Sequence, residues 1–321
     1  MNNKEKNVNV LVTGACGQLG NELQLQSLCH TEYGWFFTDI ATAADAVATV
    51  EPLDITDAGA VEAYVQEHAI DIIVNCAAYT AVDRAENDPS KARLLNAVAP
   101  GYLAAAIEQR GGFIIQISTD YVFDGTSHTP YTEVDATCSA SVYGSTKLDG
   151  EKAVLAANPK ATVLRTAWLY SRFGTNFVKT MLRLGREREE LGVVFDQIGT
   201  PTYARDLAAV IMAVIAAGAT TPPVAYEPAY RPGIYHFTDE GVCSWYDLTV
   251  AIHRLAGITG CRVRPLHTSE YPTLAARPHY SVLDKSKVKQ AYGIDIPHWE
   301  TSLAQCVAEL TGSPAHSNIR L

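Results

Sequence analysis

Short apolar runs rich in β-branched residues alternate with longer amphipathic stretches over the first half of the chain. The order is NVLVTG, a helical stretch from Gln18, GWFFTDI, DAGAVEAYVQEHA, DIIVNCAA, a long helical stretch to Gln109, and GFIIQIST. Strands that are apolar throughout, each followed by a crossover helix, form a parallel sheet with helices on both faces. The pattern therefore predicts a doubly wound α/β fold.

The texture changes after about residue 166, where proline and aromatic residues become dense. We expect a smaller mixed lobe built from non-contiguous pieces, with TYARDLAAVIMAVIAAG returning to the first domain as a packing helix. The predicted division is 1–165 and 204–236 for the sheet domain, and 166–203 and 237–321 for the lobe. The strand ATVLRTAWLY leads into the lobe, and the proline-rich segment 220–232 has no functional interpretation.

Composition excludes several classes of protein. The chain has 321 residues, is 47% hydrophobic and carries a formal net charge of −10, so it has enough apolar material for a large core and lacks the basic footprint of a nucleic-acid binder. The longest apolar run, 207–219, is shorter than the roughly 20 residues of a membrane span, and the first residues lack the pattern of a signal peptide. Seven scattered cysteines without a CxxC pair favour a reducing cytoplasm.

The first chemical signal is the glycine-rich stretch LVTGACGQLGNEL. Here a strand enters, glycines let the backbone turn and approach a ligand, and the following helix directs unpaired N–H groups at a diphosphate. The stretch therefore predicts the dinucleotide-binding turn of a Rossmann domain, although a tight turn without a ligand uses similar residues. The residues predicted to bind the cofactor here are Gly14, Cys16, Gly17, Gln18, Leu19 and Gly20.

Two aspartates follow at positions suited to the adenosine half of a dinucleotide. Asp39 ends WFFTDI, where a carboxylate can accept both ribose hydroxyls, which favours NADH without excluding NADPH. Asp54 can bond the adenine amine. The alternatives are a turn or capping role for Asp39 and a cap of the next helix for Asp54.

Two later strands end in residues suited to a ligand site. VNCAAYTAVD places Ala77 and Ala78 where a dinucleotide could lie against backbone, with Tyr79 beside them. IQISTDYVFDG leaves Thr119 and Asp120 at the same edge of the sheet. These small residues also suit close helix-on-strand packing.

The stretch SVYGSTKLDGE places Tyr143 and Lys147 one helical turn apart, on one face. A hydride that arrives at a carbonyl carbon leaves an alkoxide, so a proton donor is needed at the oxygen. We expect Tyr143 to donate that proton, Lys147 to lower the pKa of the phenol, and Thr119 to hold the substrate oxygen. YxxxK alone is common on solvated helices, so this prediction depends on the neighbouring motifs.

The motifs TGACGQLGNEL, NCAAYTAVDRAE, ISTDYVFDG, YGSTKLDGE, LRTAWLYS, GTNFVKTML, DQIGTPTYARDLA and RPHYSVLD run in order over nearly the whole chain. Together they resemble the dTDP-4-dehydrorhamnose reductase family of the extended short-chain dehydrogenases/reductases. The resemblance implies reduction of the C4 ketone of dTDP-6-deoxy-L-lyxo-4-hexulose by NADPH or NADH, with Thr119, Tyr143 and Lys147 at the catalytic positions. The substrate positions that it implies are Asp120, Trp168, Asn176, Gln197, Thr202 and Arg277.

Several alternatives stay open at this stage. Trp168 could be a core residue, and Arg277 suits either a diphosphate or a surface ion pair. Relatives with this fold include nucleotide-sugar epimerases and dehydratases, and a non-enzymatic regulatory subunit of methionine adenosyltransferase. The resemblance also raises Mg²⁺ at a dimer interface, but no ligand set is evident, so metal and homodimer are left open.

Overall fold

The computed structural model describes residues 8–40, 47–219 and 229–312. Its strands are β1 Asn9–Thr13, β2 Gly34–Asp39, β3 Val50–Pro52, β4 Ile72–Asn75, β5 Phe113–Thr119, β6 Thr162–Thr166, β7 Leu169–Tyr170, β8 Glu190–Val194, β9 Ile198–Gly199, β10 Thr202–Tyr203, β11 Gly233–His236, β12 Cys243–Ser244 and β13 Arg262–Leu266. The helices are α1 Gln18–Ser27, α2 Ala58–Glu67, α3 Val82–Asn87, α4 Pro89–Arg93, α5 Ala99–Gln109, α6 Val142–Ala157, α7 Phe177–Glu187, α8 Ala204–Ala219, α9 Trp245–Leu255, α10 Ser286–Tyr292 and α11 Trp299–Thr311. A π-helical turn, Leu94–Val98, joins α4 to α5.

Seven strands form one parallel sheet in the order β11-β6-β5-β4-β1-β2-β3. The strand β4 is buried along its whole length, as expected for a sheet covered on both faces. One apolar core packs α1 and α8 against the sheet, and another packs α2 and α5 against the opposite face. The predicted doubly wound α/β fold is confirmed.

A separate apolar core joins the segments that follow the sixth strand. It contains residues of α7, α9 and α11, together with Tyr203 of β10 and Leu191 and Val193 of β8. Three two-stranded sheets, β7 with β10, β9 with β12, and β8 with β13, connect these segments. The domain boundaries themselves stay a prediction, and residues 220–228 of the proline-rich segment lie outside the described residues.

The prediction of a single strand over ATVLRTAWLY is wrong, because the structure has two strands there. The sheet strand β6 ends at Thr166, and β7 begins at Leu169 and pairs with β10. Between them Trp168 has a φ of +49°, in the left-handed region that a bulky residue rarely adopts. The chain therefore leaves the sheet at Trp168.

Helix α8 matches the apolar run that was expected to be a buried packing helix, and it packs on the large sheet. Among the described residues, no helix combines the length and apolar character needed to cross a membrane. None of the seven cysteines, all within the described residues, forms a disulfide.

Candidate functional site

A cleft of about 620 Å³ lies at the carboxyl ends of the central strands. The strand ends and the start of α6 form one side, and residues 166–169 and 174–176 form the other. The predicted site residues that line it are Gly14, Gly17, Gln18, Leu19, Gly20, Asp39, Ala77, Ala78, Thr119, Asp120, Tyr143, Lys147, Trp168 and Asn176. Those that the described lining does not include are Cys16, Asp54, Tyr79, Gln197, Thr202 and Arg277.

The glycine-rich turn owes its shape to contacts that exclude a side chain. A Cβ at Gly14 would lie 2.6 Å from the backbone nitrogen of Ala77, and one at Gly20 would lie 2.5 Å from the Cα of Ala15. Gly17 is less crowded, since a Cβ there would meet only the Gly14 carbonyl at 3.2 Å. Gly17 is also the N-cap of α1 and provides no side-chain cap, so the start of this helix suits an anionic ligand. The donor set therefore fits the diphosphate of a dinucleotide.

Asp39 lies at the end of β2 and lines the cleft. Its Oδ2 accepts a hydrogen bond from the backbone N–H of Cys16 at 3.0 Å, and its Oδ1 accepts one from the N–H of Ile40 at 2.7 Å. The carboxylate thus holds the glycine-rich turn beside the place predicted for the ribose.

Asp54 does not cap the next helix, so that alternative is wrong. The N-cap of α2 is Asp57, whose side chain accepts from the N–H of Ala60. Asp54 instead closes a local turn by accepting hydrogen bonds from the backbone N–H and the hydroxyl of Thr56.

Tyr79 contributes through its backbone to the position of the strand end. Its N–H donates to Oδ1 of Asn96 at 2.8 Å, and the amide of Asn96 donates to the Tyr79 carbonyl and to the Thr146 hydroxyl. Asn96 is buried in the π-helical turn, so it fastens the end of β4 to helix α6. The sequence analysis missed Asn96, because an asparagine inside a long helical stretch gives no local signal.

Tyr143 and Lys147 lie on one face of α6, as predicted. Ser141 is the N-cap of this helix, and its hydroxyl accepts a hydrogen bond from the N–H of Gly144. Thr119 at the end of β5 lies beside Tyr143 in the cleft, and its hydroxyl lowers the pKa of the Tyr143 phenol. The Lys147 ammonium donates to the Ile117 carbonyl at 2.6 Å. A hydroxyl, a phenol and an ammonium therefore meet at the floor of the cleft.

The expected lowering of the Tyr143 pKa by Lys147 is not found. Burial raises the pKa of the Tyr143 phenol well above its ordinary value, and the hydrogen bond with Thr119 only partly opposes that increase. Burial lowers the pKa of Lys147 to about 8, and its ammonium is directed at a backbone carbonyl. A Coulomb attraction to Lys147 would lower the Tyr143 pKa, but the cost of burying both groups is the larger effect here.

A buried ion pair lies one helical turn beyond Lys147. The Glu151 carboxylate accepts from Nη2 of Arg165 at 2.7 Å, from Nε of Arg165 at 2.9 Å and from the Ser118 hydroxyl. Its negative charge raises the Lys147 pKa and so opposes part of the effect of burial. The sequence analysis missed this pair, although the spacing of Tyr143, Lys147 and Glu151 places all three on one helix face.

Asp120 lies beside Thr119 and is almost fully buried. Burial raises the pKa of its carboxyl group to about 6, while hydrogen bonds from Ser281 and Thr119 oppose the increase. The Thr119 hydroxyl donates to Oδ1 of Asp120 at 3.0 Å.

Asn176 links the two sides of the cleft. Its Oδ1 caps α7 by accepting from the N–H of Lys179, and its amide donates to Oε1 of Gln18 at 2.9 Å. Gln18 is the first residue of the helix that follows the glycine-rich turn. Below it, the Ser171 hydroxyl donates to the buried Glu22 of the same helix at 2.6 Å.

The other three implied substrate residues have partners within the protein. Gln197 donates to the Thr268 hydroxyl at 3.2 Å, and Thr202 donates to the Ala167 carbonyl at 2.6 Å. Arg277 pairs with Asp83 of α3 at 2.5 Å and donates to the Tyr121 phenol, which lines the cleft.

The residues that the structure describes contain no group of three or more His, Cys, Asp or Glu side chains arranged to hold a metal ion.

Comparison with known proteins gives one family over nearly the whole chain. Residues 8–311 match the family described as RmlD substrate binding domain. A dTDP-4-dehydrorhamnose reductase of Burkholderia thailandensis is 40% identical over 313 residues, covering 94% of this chain and 98% of that protein.

Solved structures agree with this relationship. A dTDP-4-dehydrorhamnose reductase of Clostridium acetobutylicum superimposes with a TM-score of 0.84 at 43% identity, covering 94% of this chain and 99% of the other. One from Bacillus anthracis, in complex with NADP, gives 0.83 at 36% identity, with coverage of 95% and 100%.

Proposed function

Because the chain belongs to the family described as RmlD substrate binding domain, we propose that it is a dTDP-4-dehydrorhamnose reductase. The proposed reaction reduces the C4 ketone of dTDP-6-deoxy-L-lyxo-4-hexulose to give dTDP-L-rhamnose, with NADPH or NADH as reductant. The observation that carries the proposal is the meeting of Thr119, Tyr143 and Lys147 beside the glycine-rich turn in one cleft.

The residues present fit a bound nicotinamide dinucleotide, which when bound would supply the hydride. The uncapped start of α1 and Gly17 would hold the diphosphate, and Asp39 would hold the adenosine ribose. Ala77 and Ala78 would leave room for the cofactor along the end of β4.

Tyr143 is the proposed proton donor to the C4 oxygen. Its raised pKa keeps the phenol protonated at neutral pH, which is the form that a reduction requires. An alkoxide is a stronger base than a phenolate, so the transfer is downhill even from this phenol. Thr119 would hold the ketone oxygen, and Lys147 would bond the nicotinamide ribose. Trp168 and Asn176 are the proposed contacts on the sugar side of the cleft.

Five further assignments of the sequence analysis stay proposals. They are Asp120 and Arg277 as substrate contacts, a homodimer, a cytoplasmic location and the boundaries of the two domains. Gln197 and Thr202 stay proposals as well; they are not in the described cleft lining, and their side chains fasten neighbouring segments of the lobe.

The test is to add freshly prepared dTDP-6-deoxy-L-lyxo-4-hexulose and to follow loss of absorbance from NADH and NADPH in parallel, with the product identified by chromatography. We expect consumption of reduced cofactor and formation of dTDP-L-rhamnose. The ratio of the two rates tests Asp39, whose carboxylate predicts a preference for NADH. Absence of consumption by folded protein would contradict the proposal and favour an epimerase that retains its cofactor.

A further inference from the structure

Trp168 is held in a backbone conformation that a tryptophan does not adopt by itself. Its φ of +49° lies in the left-handed region, and such a residue persists only where its surroundings enforce it. The Trp168 carbonyl accepts a hydrogen bond from the N–H of Thr202 at 3.2 Å, which fixes the backbone but not the direction of the ring. Some other contact must therefore orient the indole that lines the cleft.

The contact is a second indole. Trp245 stacks on Trp168 with ring centroids 3.5 Å apart and planes inclined by only 9°. Phe177 packs against the same Trp245 at 4.6 Å. Trp245 does not line the cleft itself, so its contact with Trp168 is made from behind.

Gly199 also lies against the Trp168 indole, at the Cε2–Cζ2 bond. A Cβ at Gly199 would lie 2.6 Å from Cε2 of Trp168, which is closer than real Cβ contacts come. The antiparallel pair β9–β12 sets Gly199 opposite Cys243, two residues before Trp245. A capping box between Ser244 and Asp247 then fixes the start of α9, where Trp245 is the first residue.

We propose that Trp245 and Gly199 are positioning residues that fix the Trp168 indole as a flat wall of the sugar subsite. This inference rests on the proposed function, since the ligand is the hexose of a nucleotide-sugar. The apolar C–H face of a hexose packs on an aromatic ring, and a ring fixed before binding loses no conformational freedom when the sugar arrives. Neither residue touches substrate; both act through Trp168.

Two variants test the positioning of the Trp168 indole, and each has a matched control from the same lobe. Trp245→Leu removes the stacked ring, and Trp299→Leu removes an indole that is also the first residue of a helix in this core. Gly199→Ala pushes on the Trp168 ring, and Gly192→Ala pushes on Leu266, where a Cβ would come within 2.7 Å of Cδ1. All four are measured for stability, for cofactor Kd, and for KM and kcat with the nucleotide-sugar.

We expect Trp245→Leu and Gly199→Ala to raise KM for the nucleotide-sugar about tenfold, the equivalent of about 1.4 kcal/mol. Their kcat should change less than about threefold and their cofactor Kd less than about twofold, since the catalytic group and the glycine-rich turn are untouched. Trp245→Phe keeps a stacked ring and should recover most of the loss. KM values within about twofold of the unaltered protein, or equal increases in the two controls, would overturn the proposal.

A structural measurement separates failure of this inference from failure of the proposed function. The chain has four tryptophans, so protein labelled with 5-fluorotryptophan should give four fluorine resonances. Trp245→Phe should remove one and shift the resonance of Trp168, because the ring stacked on it has changed. If the unaltered protein reduces no nucleotide-sugar, the proposed function fails. The shift of the Trp168 resonance still tests whether Trp245 positions the Trp168 indole. An unshifted Trp168 resonance would refute the positioning of Trp168 by Trp245, whether or not the protein is a reductase.

Discussion

The two walls of the cleft are built in different ways. The sheet wall consists of the glycine-rich turn, the ends of β2, β4 and β5, and the start of α6. The lobe wall consists of residues 166–169 and 174–176 with the side chains packed behind them. Neighbouring backbone shapes the first, as Gly14 against Ala77 shows. Long-range side-chain contacts shape the second, as Trp168 on Trp245 shows.

The difference teaches where local sequence determines a site. A turn that must pass close to neighbouring backbone requires glycine at fixed spacing, so a short sequence motif predicts the glycine-rich turn of the sheet wall. The lobe wall depends on partners far away in sequence, such as Asn176 with Gln18, and no motif encodes their meeting. We therefore expect the largest functional effects at the sheet wall and smaller ones in contacts that cross to the lobe.

The largest effect is expected for Tyr143→Phe, at the junction of the walls. Removing the proposed proton donor should lower kcat by roughly 10² to 10⁴-fold while the fold and cofactor Kd stay unchanged. Rapid mixing of enzyme, cofactor and ketosugar measures the reductive step directly. Near-normal turnover would remove Tyr143 from the mechanism. It would also contradict the expectation that the largest functional effects occur at the sheet wall.

Lys147→Met should change how stability depends on pH. The pKa of Lys147 is about 8 in the folded chain, below its ordinary value of 10.5, so the unfolded chain binds this proton more tightly. The free energy of unfolding contributed by this group should therefore rise as pH increases from about 8 to 10.5, by up to about 3 kcal/mol.

Chemical denaturation of the unaltered protein and Lys147→Met between pH 7 and 10.5 provides the measurement. The variant should lack this increase, because methionine carries no proton to release. Parallel curves for the two proteins would show that the buried ammonium carries no such penalty.

Gly17→Ala tests the sheet wall without breaking its packing. A Cβ at this position meets only the Gly14 carbonyl at 3.2 Å, so the fold should survive while the diphosphate is displaced. We expect the cofactor Kd to rise roughly 5 to 150-fold, the equivalent of about 1 to 3 kcal/mol. Calorimetric titration measures it, with Gly260→Ala as the control because a Cβ there meets nothing within 4 Å. An unchanged Kd would place the diphosphate away from Gly17.

The smallest effect is expected for Asp83→Asn, which breaks the ion pair with Arg277. The pair is partly exposed, so its loss should cost less than about 1 kcal/mol of stability and leave the cofactor Kd unchanged. Asp149→Asn, which breaks the exposed pair with Arg93, is the control. A tenfold change in KM for the nucleotide-sugar in Asp83→Asn alone would assign Arg277 to substrate binding. Substitutions outside the sheet wall would then have functional effects closer in size to those at the sheet wall.

The fold and the sheet wall could be predicted because both depend on local patterns. Alternating apolar runs gave the parallel sheet, and the glycine spacing and the YxxxK spacing placed Gly14, Gly17, Tyr143 and Lys147 in one cleft. The break at Trp168 could not be predicted, since its backbone is held by Thr202 and its ring contacts Trp245 and Gly199, which are distant in sequence. The pKa of Tyr143 was predicted in the wrong direction, because burial depends on every neighbour at once.

The strand order has a consequence for how the chain is assembled during synthesis. Six of the seven strands of the large sheet precede residue 167, but one face of that sheet is covered by α1 together with α8, and α8 is made after part of the lobe. A nascent chain that has emerged only as far as β6 therefore exposes the part of this apolar face that α8 covers, until the ribosome has delivered Leu207, Ile211 and Ile215. We expect this to be the stage at which the growing polypeptide depends most on chaperones.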